Sequence, residues 1–130
     1  INSVNINAPN VCGQDANNVP VADLRALSAD TVNGATNLSV KVDGKEVKKL
    51  LRRVQSQVFE VALPEDNVFD PLCNPLDVPA GIYSPAVDDG FYMMLPPLKT
   101  GKHTLQFHAE NPGQGQDVTY NITVVPVSLR

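Results

Sequence analysis

The stretch GFYMMLPPLKTGKHTLQFHAENPGQGQDVTYNITVVP, residues 90–126, decides the fold class. Leu105, Phe107 and Ala109 alternate with Thr104, Gln106, His108 and Glu110. After Asn111-Pro112-Gly113-Gln114-Gly115, the residues Val118, Tyr120, Ile122 and Val124 alternate with Thr119, Asn121 and Thr123. Successive side chains of a strand point to opposite faces, so both runs predict neighbouring strands with one dry face and one wet face. Ahead of them, Phe91-Tyr92-Met93-Met94-Leu95 reads as a short apolar strand stopped by Pro96-Pro97.

Working outward, the remainder fits the same class. Val4 and Ile6 alternate with Ser3, Asn5 and Asn7, a first strand cut short by Pro9. Residues 10–18 form a polar loop holding Cys12. Pro20 stands where a first helical turn tolerates it, because the missing N–H would be unpaired there anyway. Val21, Leu24, Leu27 (or Ser28) and Val32 follow at helical spacing, and Asn33-Gly34 would end the helix with a left-handed cap. This is the one helix expected. Leu38-Ser39-Val40-Lys41-Val42 runs into Asp43-Gly44, a dipeptide suited to a two-residue hairpin turn with positive φ at both positions. Lys45 to Val47 would return, with Leu50-Leu51 tucking under. Val54 to Leu63 reads as the longest strand, carrying Phe59, Val61 and Leu63 on one face. Residues 64–85, with five prolines, read as an irregular excursion; loops of that length are functional, disordered or tied down. Asp88-Asp89 reads as turn chemistry in preference to an acid/base pair, and Asp89-Gly90 re-enters the sheet.

At 130 residues the chain is long enough for one domain with a real core. Eleven prolines, eight glycines and no tryptophan favour many turns and short elements. The expectation is a mainly β protein: an antiparallel β-sandwich, immunoglobulin-like or jelly-roll-like, with one short helix. A net charge of −4 argues against nucleic acid as a partner, and no apolar run reaches membrane-spanning length. Charge is nevertheless clustered. Lys41, Lys45, Lys48, Lys49, Arg52 and Arg53 crowd one stretch, against Asp43 and Glu46. Between Val54 and Leu98 no Lys or Arg occurs, while Glu60, Glu65, Asp66, Asp70, Asp77, Asp88 and Asp89 accumulate. The basic stretch could meet an acidic partner; equally, both stretches could be solvated faces that aid solubility.

Cys12 and Cys73 lack C-x-x-C spacing, so neither a zinc knuckle nor a thioredoxin-type motif is present. They would pair in an oxidising compartment, or else be two small buried apolar residues. Candidate chemistry is sparse. His103 and His108 are the two ordinary neutral-pH bases, and no G-x-S-x-G elbow occurs. An odd separation on one strand places them on opposite sides of the sheet. Glu65, Asp66, Asn67 and Asp70 could supply part of a Ca²⁺ shell, though the spacing is not that of an EF-hand loop and self-bonded turns explain it as well. No other cofactor is expected. A sugar-binding face would recruit aromatics, and Tyr83, Tyr92 and Tyr120 are scattered. Asn37-Leu38-Ser39 and Asn121-Ile122-Thr123 are glycosylation sequons that carry no sugar by default in bacteria.

Several segments taken together resemble a family of uncharacterised exported bacterial proteins. They are Ala22-Asp23-Leu24-Arg25-Ala26-Leu27, Asn33-Gly34-Ala35-Thr36-Asn37-Leu38-Ser39-Val40, Val42-Asp43-Gly44-Lys45, Arg53-Val54-Gln55-Ser56, Leu63-Pro64-Glu65-Asp66-Asn67, Asp89-Gly90-Phe91-Tyr92-Met93-Met94-Leu95, Pro97-Leu98-Lys99-Thr100-Gly101-Lys102-His103-Thr104-Leu105 and Asp117-Val118-Thr119-Tyr120. The resemblance implies export, to the periplasm or outside, and a β-rich fold. It also implies further strands ahead of Ile1 in a longer precursor, and it supplies no catalytic residues. The leading expectation is therefore a non-catalytic binding or structural module. Its partner, a protein or surface, would be met along Lys41, Lys45, Lys48, Arg52 and Arg53, in the 64–85 excursion, or by strand addition and oligomerisation at a sheet edge. The competing expectation is a hydrolase or metal-dependent enzyme using His103 with Glu65 or Asp66.

Overall fold

A computed structural model of the chain describes residues 1–73 and 77–126. The expected excursion is thus seen except for residues 74–76, which lie outside the described residues. In chain order the elements are β1 (Asn2–Ile6), α1 (Val21–Asn33), β2 (Thr36–Val42), β3 (Lys45–Glu46), a 3₁₀ turn (Lys48–Leu50), β4 (Arg52–Gln55), β5 (Phe59–Leu63), α2 (Asp70–Cys73), β6 (Gly81–Tyr92), β7 (Gly101–Asn111) and β8 (Gln114–Val124). The protein is mainly β, with two antiparallel sheets and one substantial helix. Packing divides it into two compact units.

The first unit comprises Ile1, Val32–Val54 and Phe91–Arg130, and it holds the sheet β3-β2-β7-β8. Its hairpin β7–β8 is regular over eleven residue pairs, from Gly101↔Val124 to Asn111↔Gln114. Pro112-Gly113 forms the two-residue turn, with φ +84° at Gly113. The β2–β3 turn is the one the sequence predicts: Asp43 and Gly44 take φ values of 50° and 75°. Leu38, Val40, Leu105, Phe107 and Ala109 line a largely apolar cavity of about 240 Å³ with Leu51, Phe91 and Met93. Gly34 does not form the expected cap, because its φ is not left-handed. It packs closely against the β7–β8 turn: a Cβ there would displace the Asn111 side-chain oxygen and sit 3.1 Å from Pro112 Cδ.

The second unit, Asn2–Thr31 with Gln55–Gly90, is organised by β6. β1 pairs along one edge of β6, from Asn2↔Gly90 to Ile6↔Ala86. β5 pairs with β6 as well, from Phe59↔Ala86 to Leu63↔Gly81. Bonded in this way, residues 86–90 are all buried, Ala86 and Val87 completely. Asp88 and Asp89 are therefore not a turn but the middle of the central strand. Their polarity looked like a turn signal, whereas in the fold they are held by neighbours. The Ser56 hydroxyl accepts from the Asp88 amide at 2.8 Å, and Gln55 donates its side-chain amide to Asp89 at 2.9 Å.

Other expectations shift for similar reasons. The 54–63 run breaks into β4 and β5, and β6 is the longest strand, beginning inside the stretch expected to be irregular. The expected 91–95 strand contributes only Phe91 and Tyr92, the end of β6, before Pro96 and Pro97. On α1 the buried positions are Leu24, Ser28 and Val32, while Leu27 is half exposed. Ser28 wins the inner position because its hydroxyl accepts a 2.9 Å hydrogen bond from Asn5 on β1. The short α2 turn carries Cys73, which is disulfide-bonded to Cys12 across a separation of 61 residues. The loop after β1 is organised by Asn7, 4% exposed. Its side chain donates to Asn18 Oδ1 and Ser84 O and accepts from Gln14 Nε2 and the Val19 amide. One buried amide thus satisfies both of its ends, as a buried polar group must.

Two outcomes follow for stability. Replacing Asn7 with Ala strands these partners and should cost about 3 kcal/mol, read as a lowered urea midpoint with an unchanged slope. Opening the Cys12–Cys73 link by paired Cys→Ser substitution should cost up to about 4 kcal/mol, the chain-entropy value for a loop of this length. Thiol titration of the unreduced, denatured protein should find no free thiol.

Candidate binding surface

The wet face of the first unit's sheet is built from the even-numbered residues of β7 and their cross-strand partners. Gln106 stands opposite Lys41 on β2 and Thr119 on β8; His108 stands opposite Ser39 and Asp117. These side chains line a shallow depression of about 140 Å³. Further along, Lys102, Thr104, Asn121 and Thr123 surround a second open hollow. The pattern Thr-x-Asn-x-Thr on β8 that the sequence places on one face is polar and exposed in the structure.

Both histidines are held at both ring nitrogens. His108 Nδ1 lies 2.8 Å from Asp117 Oδ1 and its Nε2 3.3 Å from Glu110 Oε1. Glu110 in turn accepts from the Asn37 side-chain amide. His103 Nδ1 lies 2.8 Å from Asp43 Oδ2 and its Nε2 2.7 Å from the Lys99 carbonyl. A ring with an acceptor at each nitrogen satisfies both bonds only as the doubly protonated imidazolium. The pKa of His103 is accordingly raised, chiefly by the hydrogen bond to Asp43 and then by the Lys99 carbonyl. That of His108 is raised chiefly by the bond to Asp117, with Glu110 adding to it. Asp43 is held below the usual carboxylate range by His103 and by the Thr104 amide, which donates to its Oδ1 at 2.9 Å. A ring clamped in this way offers no free lone pair to a substrate or a metal.

The partner of His103 is therefore Asp43, and Glu65 and Asp66 are exposed side chains of the second unit. Of the oxygen-rich cluster, Asn67 and Asp70 bond their own loop. Asp70 accepts from the amides of Asn67 and Val78, which lowers its pKa, and Asn67 donates to Pro64 O and Val78 O while accepting from the Phe69 amide. Among the described residues no group of three or more His, Cys, Asp or Glu side chains is arranged to hold a metal ion. The same loop borders an apolar hollow of about 170 Å³ formed with Val4, Ile6, Leu63, Phe69, Val78 and Tyr83. In the second unit, burial and the charge of Asp89 push the Asp88 carboxyl above its usual range.

The two units differ sharply in charge. Among the described residues of the first, Lys41, Lys45, Lys48, Lys49, Arg52, Arg53, Lys99 and Lys102 outweigh Asp43, Glu46, Glu110 and Asp117. In the second, Arg25 stands against Asp15, Asp23, Asp30, Glu60, Glu65, Asp66, Asp70, Asp77, Asp88 and Asp89. Within the basic stretch the cations are used differently. Arg52 folds back to donate to the carbonyls of Lys49 and Leu51, and Arg53 donates to Asn33 Oδ1. Lys41, Lys45, Lys48 and Lys49 are exposed and form no ion pair among the described residues. The sequence marks all of these cations alike; only the fold separates tethered arginines from free lysines. The Asp43–His103 pair was hidden because Asp43 already satisfied a turn motif.

Compared with family models, with curated proteins and with solved structures, the chain finds no match. Among the described residues no helix is long and apolar enough to cross a membrane.

The His103 clamp has a defined pH signature. With a folded pKa raised above the ordinary 6.5, its stabilisation is fully present below about pH 6.5 and is lost as pH rises through the folded value. Asp43, whose pKa is lowered, withdraws its share only as pH falls through its folded value, below 3.8. Asp43→Asn keeps a residue that tolerates positive φ. It should bring the NMR titration midpoint of His103 down and flatten the loss of stability above neutrality. An unchanged midpoint would show that the contact is not made in solution.

Proposed function

We propose that this chain is an exported, non-catalytic binding module of β-sandwich type that docks an acidic partner on the free lysines of its first unit, Lys41, Lys45, Lys48 and Lys49. The observation that carries this reading is the division of labour among its cationic groups. His103 and His108 are consumed as internal clamps, and Arg52 and Arg53 are turned to backbone and side-chain carbonyls. The lysines remain exposed beside a polar sheet face. A surface of this kind attracts anions through long-range fields, and its affinity falls with salt. The disulfide supports export, because such links persist in oxidising compartments. The competing hydrolytic reading needs a histidine with a free lone pair, and each ring nitrogen here already faces an acceptor.

An acidic polymer such as polyglutamate or heparin serves as the probe. The protein should be retained at low ionic strength and released as salt rises. Lys41→Ala, Lys45→Ala, Lys48→Ala and Lys49→Ala combined should reduce retention at least about tenfold. Retention that the combined variant leaves unchanged would remove the lysines from the proposal.

A further inference from the structure

The first unit's sheet treats its two edges in opposite ways. At one end stands β3, two charged residues long, Lys45 and Glu46. Short, charged edge strands are the ordinary protection against pairing with another chain. At the other end stands β8, eleven residues long, with no Lys, Arg or Pro between Gln114 and Val124 and no break in its register. Its single charge, Asp117, is tied to His108. Among the described residues, a short length, a proline, a lysine and a register break are all missing from this edge.

The direction of its free backbone groups follows from the hairpin. Asp43 N–H donates to the Thr104 carbonyl, so the even residues of β7 bond toward β2. The odd residues of β7 then bond toward β8, and their partners on β8 are the even residues, from Gln114 to Val124. The peptide groups of Asp117, Thr119, Asn121 and Thr123 accordingly face away from the sheet. Among the described residues no strand pairs with that edge.

We infer that β8 is a self-association edge, pairing antiparallel with β8 of a second copy about a two-fold axis at Thr119. This occupant is favoured because the strand is complementary to itself. A two-fold axis at Thr119 is the register that pairs all eleven residues, with Gln114 opposite Val124 of the second copy. It sets Asp117 opposite Asn121 of the second copy, so no like charges meet. Thr119 meets its own copy, a favourable cross-strand pair. On the other face Tyr120, 53% exposed, is brought beside Val118 of the second copy. An isologous contact of this kind closes after two subunits and does not grow into a filament. The lysine surface plays no part in it, so the inference stands independently of the proposed function.

Sedimentation velocity on the whole chain should show a concentration-dependent dimer, and hydrogen exchange should protect the amides of Asp117, Thr119, Asn121 and Thr123 in step with dimer population. Thr119→Lys places like charges at the axis on an exposed position and should weaken the dimer at least about tenfold while leaving the urea midpoint of the monomer unchanged. Thr119→Cys should form an intermolecular disulfide on mild oxidation, since a directly opposed hydrogen-bonded pair has a Cα separation of about 5.5 Å; Thr123→Cys, offset from its own copy, should not. A protein that stays monomeric at high concentration with fast exchange at these four amides overturns the inference. So does a dimer that forms equally well with Thr119→Lys and is not linked by Thr119→Cys, because its interface lies elsewhere.

Discussion

The middle of β6, residues 86–90, is buried, and its backbone groups must be bonded by neighbouring strands; the second unit depends on that constraint. The backbone of β6 is bonded by β1 on one side and by β5 on the other, and its middle carries Asp88 and Asp89. The neighbouring sequence is fitted to these demands. Ser56 supplies its hydroxyl to the Asp88 amide and donates its own amide to the Asp88 carbonyl, Gln55 reaches Asp89, and Arg25 of α1 caps the Ser56 carbonyl at 2.9 Å. The break between β4 and β5 falls just after these residues. The helix, the strand break and the polar side chains are thus consequences of one buried strand.

The first unit rests on a different principle. Its hairpin is long, regular and only partly buried, and its histidines join neighbouring elements through hydrogen bonds to carboxylates. His103 joins the β2–β3 turn to the loop before β7, and His108 joins β7 to β8. Using these side chains for cohesion leaves the exposed lysines and the bare edge of β8 as the chemically available features. One is a field that attracts anions; the other is a row of directed hydrogen-bonding groups. They differ in range and in salt dependence, so a single small unit can present both.

Much of this was legible in the residues. The alternation across 104–110 and 118–124 marked β7 and β8, Asp43-Gly44 marked its turn, Pro20 marked the start of α1, and Cys12 and Cys73 were available to pair. Alternation, positive φ and proline geometry are local, so a local reading finds them. The candidate site was less legible. The lysine stretch stood out by composition, whereas the Asp43–His103 pair joins residues sixty positions apart and each already had a local explanation. Asp88 and Asp89 misled for the converse reason: acidic dipeptides favour turns, whereas here Gln55 donates to Asp89 and burial pushes the Asp88 carboxyl above its usual range within a central strand.

The sequence by itself determined which segments could be strands, which faces could be dry, and where the chain could turn, because these depend on side-chain periodicity and backbone preference within a few residues. Tertiary structure alone decided which strand is central, which cations are spent and which are free, and which edge is left open. Those properties belong to pairs of groups distant in the chain, and their energies depend on burial and hydrogen-bond partners that exist only once the strands have come together.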